Sequence, residues 1–276
     1  TGEPAAKDGQ RAVVLVRDAV KVENVLGDRR RPDGTWNWML EGEPGVALVR
    51  IIGFGERTAA DVEAALRSIA AEGDLRGVVL DLRGNPGGLL SAAVDVCDLL
   101  LDDGVIVSTR GRRDAGGVDP RLEVREARRG CLLPGVPIVV LIDGLTASAA
   151  EIVAACLQDS GRARVVGSRS YGKGTVQSIL PLADGRGLLK LTTAEYLRPG
   201  RDSIHRRKGD GDTAPWGVLP DRGLEVTPTA EALERLQAWR RNRDFMVAAG
   251  RRLPREVDRV LTRAIDTLPA VGAAAA

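Results

Sequence analysis

Histidine is almost missing: the 276 residues hold one, His205. That excludes a multi-histidine metal site. The three cysteines, Cys97, Cys131 and Cys156, lack C-x-x-C spacing, and an odd number in a chain this long argues against a disulfide framework. Aromatic residues make up 3%, and 40 Lys+Arg against 38 Asp+Glu leave a formal net charge of +2. Neither the basic face nor the stacking rings of a nucleic-acid binder are there. No stretch approaches the ~20 apolar residues that span a bilayer. Lysine is scarce as well. Lys7, Lys21, Lys173, Lys190 and Lys208 are the whole set, so each is informative. The chain opens at Thr1 with neither the charged nor the apolar region of a signal peptide, and the expectation is a processed or excised piece of a longer protein.

What is present is an alternation of strand-like and helix-like segments. After a polar start at 1–10 and weakly alternating valines to Val25, Val46–Ile52 reads as a strand. Thr58–Ala71 reads as an amphipathic helix with Thr58 as N-cap and Asp61 completing a capping-box variant. Gly77–Leu82 suits a buried strand, Gly84–Gly88 a tight turn, and Leu89–Leu101 a well-buried helix. Strands follow at Val105–Ser108, Pro137–Ile142, Ala163–Val166 and Gly185–Leu197, with a helix at Ser148–Gln158. Helices recur near 229–248 and 254–268, their arginines read as a solvated face, and the tail from Ala273 is low in complexity. The pattern predicts an α/β core around a mostly parallel sheet.

Ligands of open α/β sheets gather at the carboxyl ends of strands. Two segments carry unusual chemistry there. In Asp81-Leu82-Arg83-Gly84-Asn85-Pro86-Gly87-Gly88, glycines allow close backbone approach and free N–H groups at a helix start, although an ordinary turn has the same composition. In Asp143-Gly144-Leu145-Thr146-Ala147-Ser148-Ala149-Ala150-Glu151, Ser148 has small neighbours on both sides. The plain reading is an N-cap serine with Glu151 as its capping-box partner.

A serine nucleophile needs a base. His205, flanked by cations, reads as a surface residue. Lys7, Lys21 and Lys208 lie in polar stretches, and Lys190 alternates toward solvent. Lys173 stands apart, in Ser170-Tyr171-Gly172-Lys173-Gly174-Thr175-Val176-Gln177. A lysine acts as a base at neutral pH only where desolvation disfavours its charged form. The other readings of the glycine-flanked lysine are a phosphate loop or a surface loop, and Walker A spacing is absent.

Taken in order, D-L-R-G-N-P-G-G, T-A-S-A-A-E, Y-G-K-G-T-V-Q and Pro215-Trp216-Gly217-Val218-Leu219-Pro220-Asp221 resemble the C-terminal processing (tail-specific) serine peptidase family. The resemblance runs from about Val13 to Asp221 and implies a crotonase/ClpP-like αββ core plus C-terminal helices. It implies Ser148 as nucleophile, Lys173 as general base and Gln177 orienting the lysine. The oxyanion hole would be the backbone N–H of Ala149 with that of Gly88, or of Gly87 as the near alternative. It implies no metal and no cofactor, protein or peptide C-termini as substrate, and an extracytoplasmic, periplasmic or membrane-associated setting. Thr146 and Ala150 replace serines frequent in the family motif. The expected division is a linker or remnant of a PDZ domain at 1–16, a catalytic core at 17–228 and a helical extension at 229–276. The PDZ domain itself would lie upstream in the full-length protein, and the oligomeric state is left open. Two other readings stay in play: a non-cleaving, peptide-binding member of the same fold, and an acyl-CoA enzyme of crotonase type, which leaves Ser148, Lys173 and Gln177 without a reason.

Overall fold

The computed structural model describes residues 16–18, 22–111, 122–182, 185–245 and 258–270. The predictions for residues 1–15 and for the tail lie outside these, as do residues 112–121 of the stretch read from sequence as a basic, glycine-rich loop at 110–130; the later part of that stretch, Leu122–Glu126, is a strand rather than loop. Short strands β1 (Val25–Leu26), β2 (Arg29–Arg30) and β3 (Trp36–Asn37) lead into β4 (Val46–Ile51), helix α1 (Thr58–Ala70), β5 (Gly77–Asp81) and α2 (Leu90–Asp98). Then come β6 (Val105–Gly111), β7 (Leu122–Glu126), β8 (Ile138–Ile142), α3 (Ala149–Asp159) and β9 (Ala163–Gly167). The chain continues with β10 (Thr175–Pro181), β11 (Leu188–Leu197), α4 (Ala230–Phe245) and α5 (Arg259–Asp266).

The central sheet has the order β1-β4-β5-β8-β9. Its last four strands are parallel and β1 is an antiparallel edge. Strand order follows chain order, so right-handed crossovers put α1, α2 and α3 on one face. Alternation does the sorting. Val78, Leu80, Val140 and Ile142 join the buried cluster under those helices, while Val79, Val139 and Leu141 join a second cluster on the opposite face. That second face is covered by Val260, Leu261, Ala264 and Leu268, from α5 and the residues just after it. The largely parallel α/β sheet expected from sequence is therefore what the chain forms.

Some local predictions are corrected. Thr58 is not the N-cap of α1; Arg57 holds that position without a side-chain bond, and Thr58 Oγ1 instead accepts from Gly55 N (2.9 Å) and donates to Gly53 O (3.3 Å). The stretch after Lys173 is not all loop. It becomes β10, outermost in a second, antiparallel sheet ordered β10-β11-β6-β7. No helix among the described residues is long and apolar enough to cross a membrane.

Candidate active site

The parallel strands β5, β8 and β9 end side by side, and the segments leaving their carboxyl ends meet. The turn after β5 is pinned to the one after β8. Thr146 Oγ1 donates to Leu82 O (3.0 Å), Gly84 N to Asp143 Oδ1 (2.9 Å) and Ala147 N to Asn85 O (2.9 Å). Asn85 is fully buried; its Nδ2 donates to Ile51 O (2.7 Å) and its Oδ1 accepts from Gly87 N (2.8 Å). Thr146, in a serine's place, thus has a structural task that its hydroxyl performs.

This stitching presses the glycine turn onto Ser148. A Cβ built on Gly87 would stand 2.8 Å from Ser148 Cβ and 2.9 Å from Ala149 N, and one on Gly88 (φ 148°) would stand 2.7 Å from the Phe54 carbonyl carbon. Side chains do not fit at either position. The two glycines differ in one respect that bears on the oxyanion hole. Gly87 N–H is taken by Asn85, whereas Gly88 N–H and Ala149 N–H make no hydrogen bond among the described residues.

Ser148 stands at the N-cap of α3, but with φ 57° and ψ −119° rather than the extended backbone of an ordinary cap. A non-glycine residue held there stores strain of about 1–3 kcal/mol and persists only when its surroundings over-determine it. The expected bond from Ser148 N–H to Glu151 Oε2 is made (2.8 Å). Glu151 does far more than cap. Its fully buried carboxylate also accepts from Ser170 Oγ (2.5 Å) and Gly172 N (2.7 Å) on Oε1, and from Lys173 N (2.8 Å) on Oε2. The backbone nitrogens of Ser148 and Lys173 therefore share one oxygen, and stand no farther apart than twice that distance. Burial pushes the Glu151 carboxyl above its ordinary range, against the pull of these four donors.

The loop after β9 is backed by the 204–206 segment. A Cβ on Gly174 would lie 2.8 Å from His205 Cα, and one on Gly172 would lie 2.8 Å from Arg206 Cβ and 2.9 Å from the Trp216 ring. Arg206 N donates to Gly172 O (2.9 Å) and Tyr196 N to Gly174 O (2.7 Å). The glycines around Lys173 are thus there for close packing. His205 is corrected from a surface residue: it is half-buried, and its Nδ1 is enclosed without a partner. Gln177 lies exposed in β10, beside a register shift. No hydrogen bond joins Lys173 Nζ to Ser148 Oγ, or Gln177 to Lys173; such bonds commonly close only when substrate arrives. Sequence reasoning missed the bridging role of Glu151. Its signal was a lone carboxylate among residues that are otherwise all apolar from Ala149 to Leu157. Among the described residues no group of acids, cysteines and histidine could hold a metal.

Comparison with known proteins adds the family. Residues 45–222 match the model of peptidase family S41. The chain is 44% identical over 222 residues to a carboxy-terminal-processing protease of Bartonella bacilliformis, covering 78% of this chain and 46% of that protein. It is 34% identical over 238 residues to a chloroplastic carboxyl-terminal-processing peptidase 3 of Arabidopsis thaliana, covering 83% and 41%. Among solved structures, a photosystem II D1 C-terminal processing protease superposes with a TM-score of 0.58 at 30% identity, over 78% of this chain and 51% of that one. The chain spans about half the length of the relatives it matches.

Proposed function

The chain belongs to peptidase family S41, and from that membership we propose that it is the catalytic part of a serine endopeptidase of the carboxy-terminal processing type, working through Ser148 and Lys173. Neutral Lys173 Nζ takes the proton of Ser148 Oγ as the oxygen attacks a peptide carbonyl. The N–H groups of Ala149 and Gly88 receive the oxyanion, each donor contributing about 3 kcal/mol to the transition state. Gly87 is disfavoured for that task because its N–H is already engaged. Protonated Lys173 then passes its proton to the leaving amine, and water hydrolyses the ester on Ser148. Gln177 orients the lysine once substrate is bound. No metal or organic group is required by these steps. Substrates are proteins or peptides cleaved near their C-termini. An extracytoplasmic setting and an upstream peptide-capturing PDZ domain belong to the same reading.

The observation that carries the proposal is Glu151, which holds the backbones of Ser148 and Lys173 on one buried oxygen. Ser148→Ala and Lys173→Ala, each in the full-length protein with an unfolded protein substrate, test it. Both variants are expected to lose proteolysis while melting like the parent. Wild-type cleavage by either one refutes the assignment. A folded parent whose Ser148 resists a serine-directed phosphonate favours the non-cleaving member instead.

A further inference from the structure

Large apolar side chains exposed to water concentrate on one ribbon. In the hairpin of β10 and β11, Ile179 is 63% and Leu188 71% exposed, and Leu180, Leu182, Leu189 and Leu191 lie between 43% and 46%. A contiguous patch of this kind marks an interaction site. The register sorts these residues. Leu180 pairs with Leu189, and Ser178 with Leu191, on one face. Ile179 pairs with Lys190, and Pro181 with Leu188, on the other. Both faces of the ribbon are thus apolar, and Lys190 is the one charged side chain in this paired stretch.

The edge is open too. β10 is outermost in its sheet, and among the described residues its free side pairs with nothing. β10 also begins at Thr175, two residues after Lys173. Whatever pairs with this edge is therefore in register with the reacting centre. A folded body set against one face would leave the other face wet. A strand added at the edge brings its alternate side chains to both faces at once, and needs only main-chain groups for pairing.

Building on the peptidase reading, we propose that the β10–β11 hairpin is a docking arm for the substrate: an extended, apolar stretch of polypeptide adds as a strand to the free edge of β10. Its alternate side chains lie against Leu180 and Leu182 on one face and against Ile179 and Pro181 on the other. The seven residues of β10 span roughly 20 Å at about 3.3 Å each. The arm thus reads residues about six to nine positions from the scissile bond, the offset of Ile179 to Leu182 from Lys173. The specificity it confers is for apolar content and extended backbone rather than for one sequence.

Binding is measured on the Ser148→Ala form of the full-length protein, so that docking is read without turnover. The probes are two fluorescein-labelled dodecapeptides, alike except that one carries valine and the other serine at alternate positions. Fluorescence anisotropy is expected to give the valine peptide about ten-fold tighter binding. Adding Ile179→Thr and Leu180→Thr, at exposed positions of β10 and with a residue that favours strands, is expected to remove most of that difference without changing the melting temperature. If the double variant melts early, Ile179→Thr alone is used, with the same expectation in smaller measure. Equal binding of the two peptides overturns the proposal, as does a valine preference that survives the arm substitutions. Loss of a dimer in sedimentation, with peptide affinity unchanged, overturns it in favour of an interface between copies. Continued proteolysis by Ser148→Ala, seen as product by mass spectrometry, would instead refute the Ser148 assignment and leave the binding difference readable.

Discussion

At the residue scale, the candidate site rests on groups that sequence reading rated as ordinary. Glu151 looks like half of a capping box, yet four donors converge on it. Glu151→Gln keeps the shape but turns an NH2 group toward two of those donors. Leaving buried donors unmet costs about 1–3 kcal/mol each, so denaturant unfolding is expected to show a loss of about 2 kcal/mol or more. Turnover is expected to fall more than substrate affinity, since the backbone between Ser148 and Lys173 loosens. The pH dependence has a definite sign. Burial raises this carboxyl in the fold, so its contribution to stability is full below the ordinary glutamate range and is lost as pH rises through its raised value. Glu151→Gln removes that downward slope. A second residue-scale expectation concerns Gly174. A methyl there meets the His205 backbone, with Cα at 2.8 Å, and the displaced loop carries Lys173. A misplacement of about 1 Å costs on the order of 100-fold in rate. Gly174→Ala should therefore retain its circular dichroism and lose peptidase activity on that scale. Gly73→Ala, at a glycine of positive φ with nothing within 4 Å, should cost only about 1 kcal/mol of stability and leave activity alone.

At the element scale, the C-terminal helices reach the strand that feeds the glycine turn. Arg83 spans Asp81 (2.7 Å) and Asp258 (2.8 Å), and Arg240 of α4 meets Asp81 (2.5 Å), all at low exposure. Burial alone would raise the Asp81 carboxyl, but the Arg240 and Arg83 guanidiniums outweigh it and hold it well below the carboxylate range. Asp258 is also lowered: burial opposes, and Arg83 prevails. Arg240, by contrast, is brought down by its burial to about 10. For depressed carboxyls the linkage runs opposite to Glu151. Their stabilisation is present above the ordinary aspartate range and is lost as pH falls toward their depressed values. Asp258→Ala leaves the buried Arg83 and Arg240 to share the single carboxylate of Asp81 and is expected to cost about 3 kcal/mol at neutral pH. Its denaturant midpoint should fall less steeply on acidification below about pH 4. A midpoint equal to the parent's at neutral pH would show the pair to be neutral. None of this was legible beforehand, because charge spacing in sequence does not reveal which arginine of a charged helix meets which strand end. The elements themselves were. Val46, Val78 and Val139 sit in runs that only a buried strand uses, whereas β10 hid because its apolar side chains point into water on both faces.

At the scale of the whole molecule, sequence motifs located the three segments that converge, because each follows a buried strand of one parallel sheet. They did not show what joins the segments, since Asn85, Thr146 and Glu151 act through backbone partners far away in the chain. Nor did they show how much of the sheet depends on the residues after 228. The sequence reading treats 229–276 as an extension of a core at 17–228. In the fold, Val260, Leu261, Ala264 and Leu268 cover Val79, Val139 and Leu141 on the far face of the central sheet. Burying side chains of this size contributes about 1.5–3 kcal/mol for each valine or leucine. Removing α5 and Leu268 thus forfeits on the order of 5 kcal/mol, comparable to the net stability of an ordinary domain. It also bares a strip of strand surface from which water is now excluded. A chain ending at residue 228 is therefore expected to be expressed as aggregate, or to bind a hydrophobic dye and melt without a cooperative transition. A chain ending at residue 270 should melt as the parent does. Cooperative unfolding of the shorter chain near the parent's temperature would show that the far face is stable uncovered, and that the helices serve only to hold Asp81 and Arg83 beside the glycine turn.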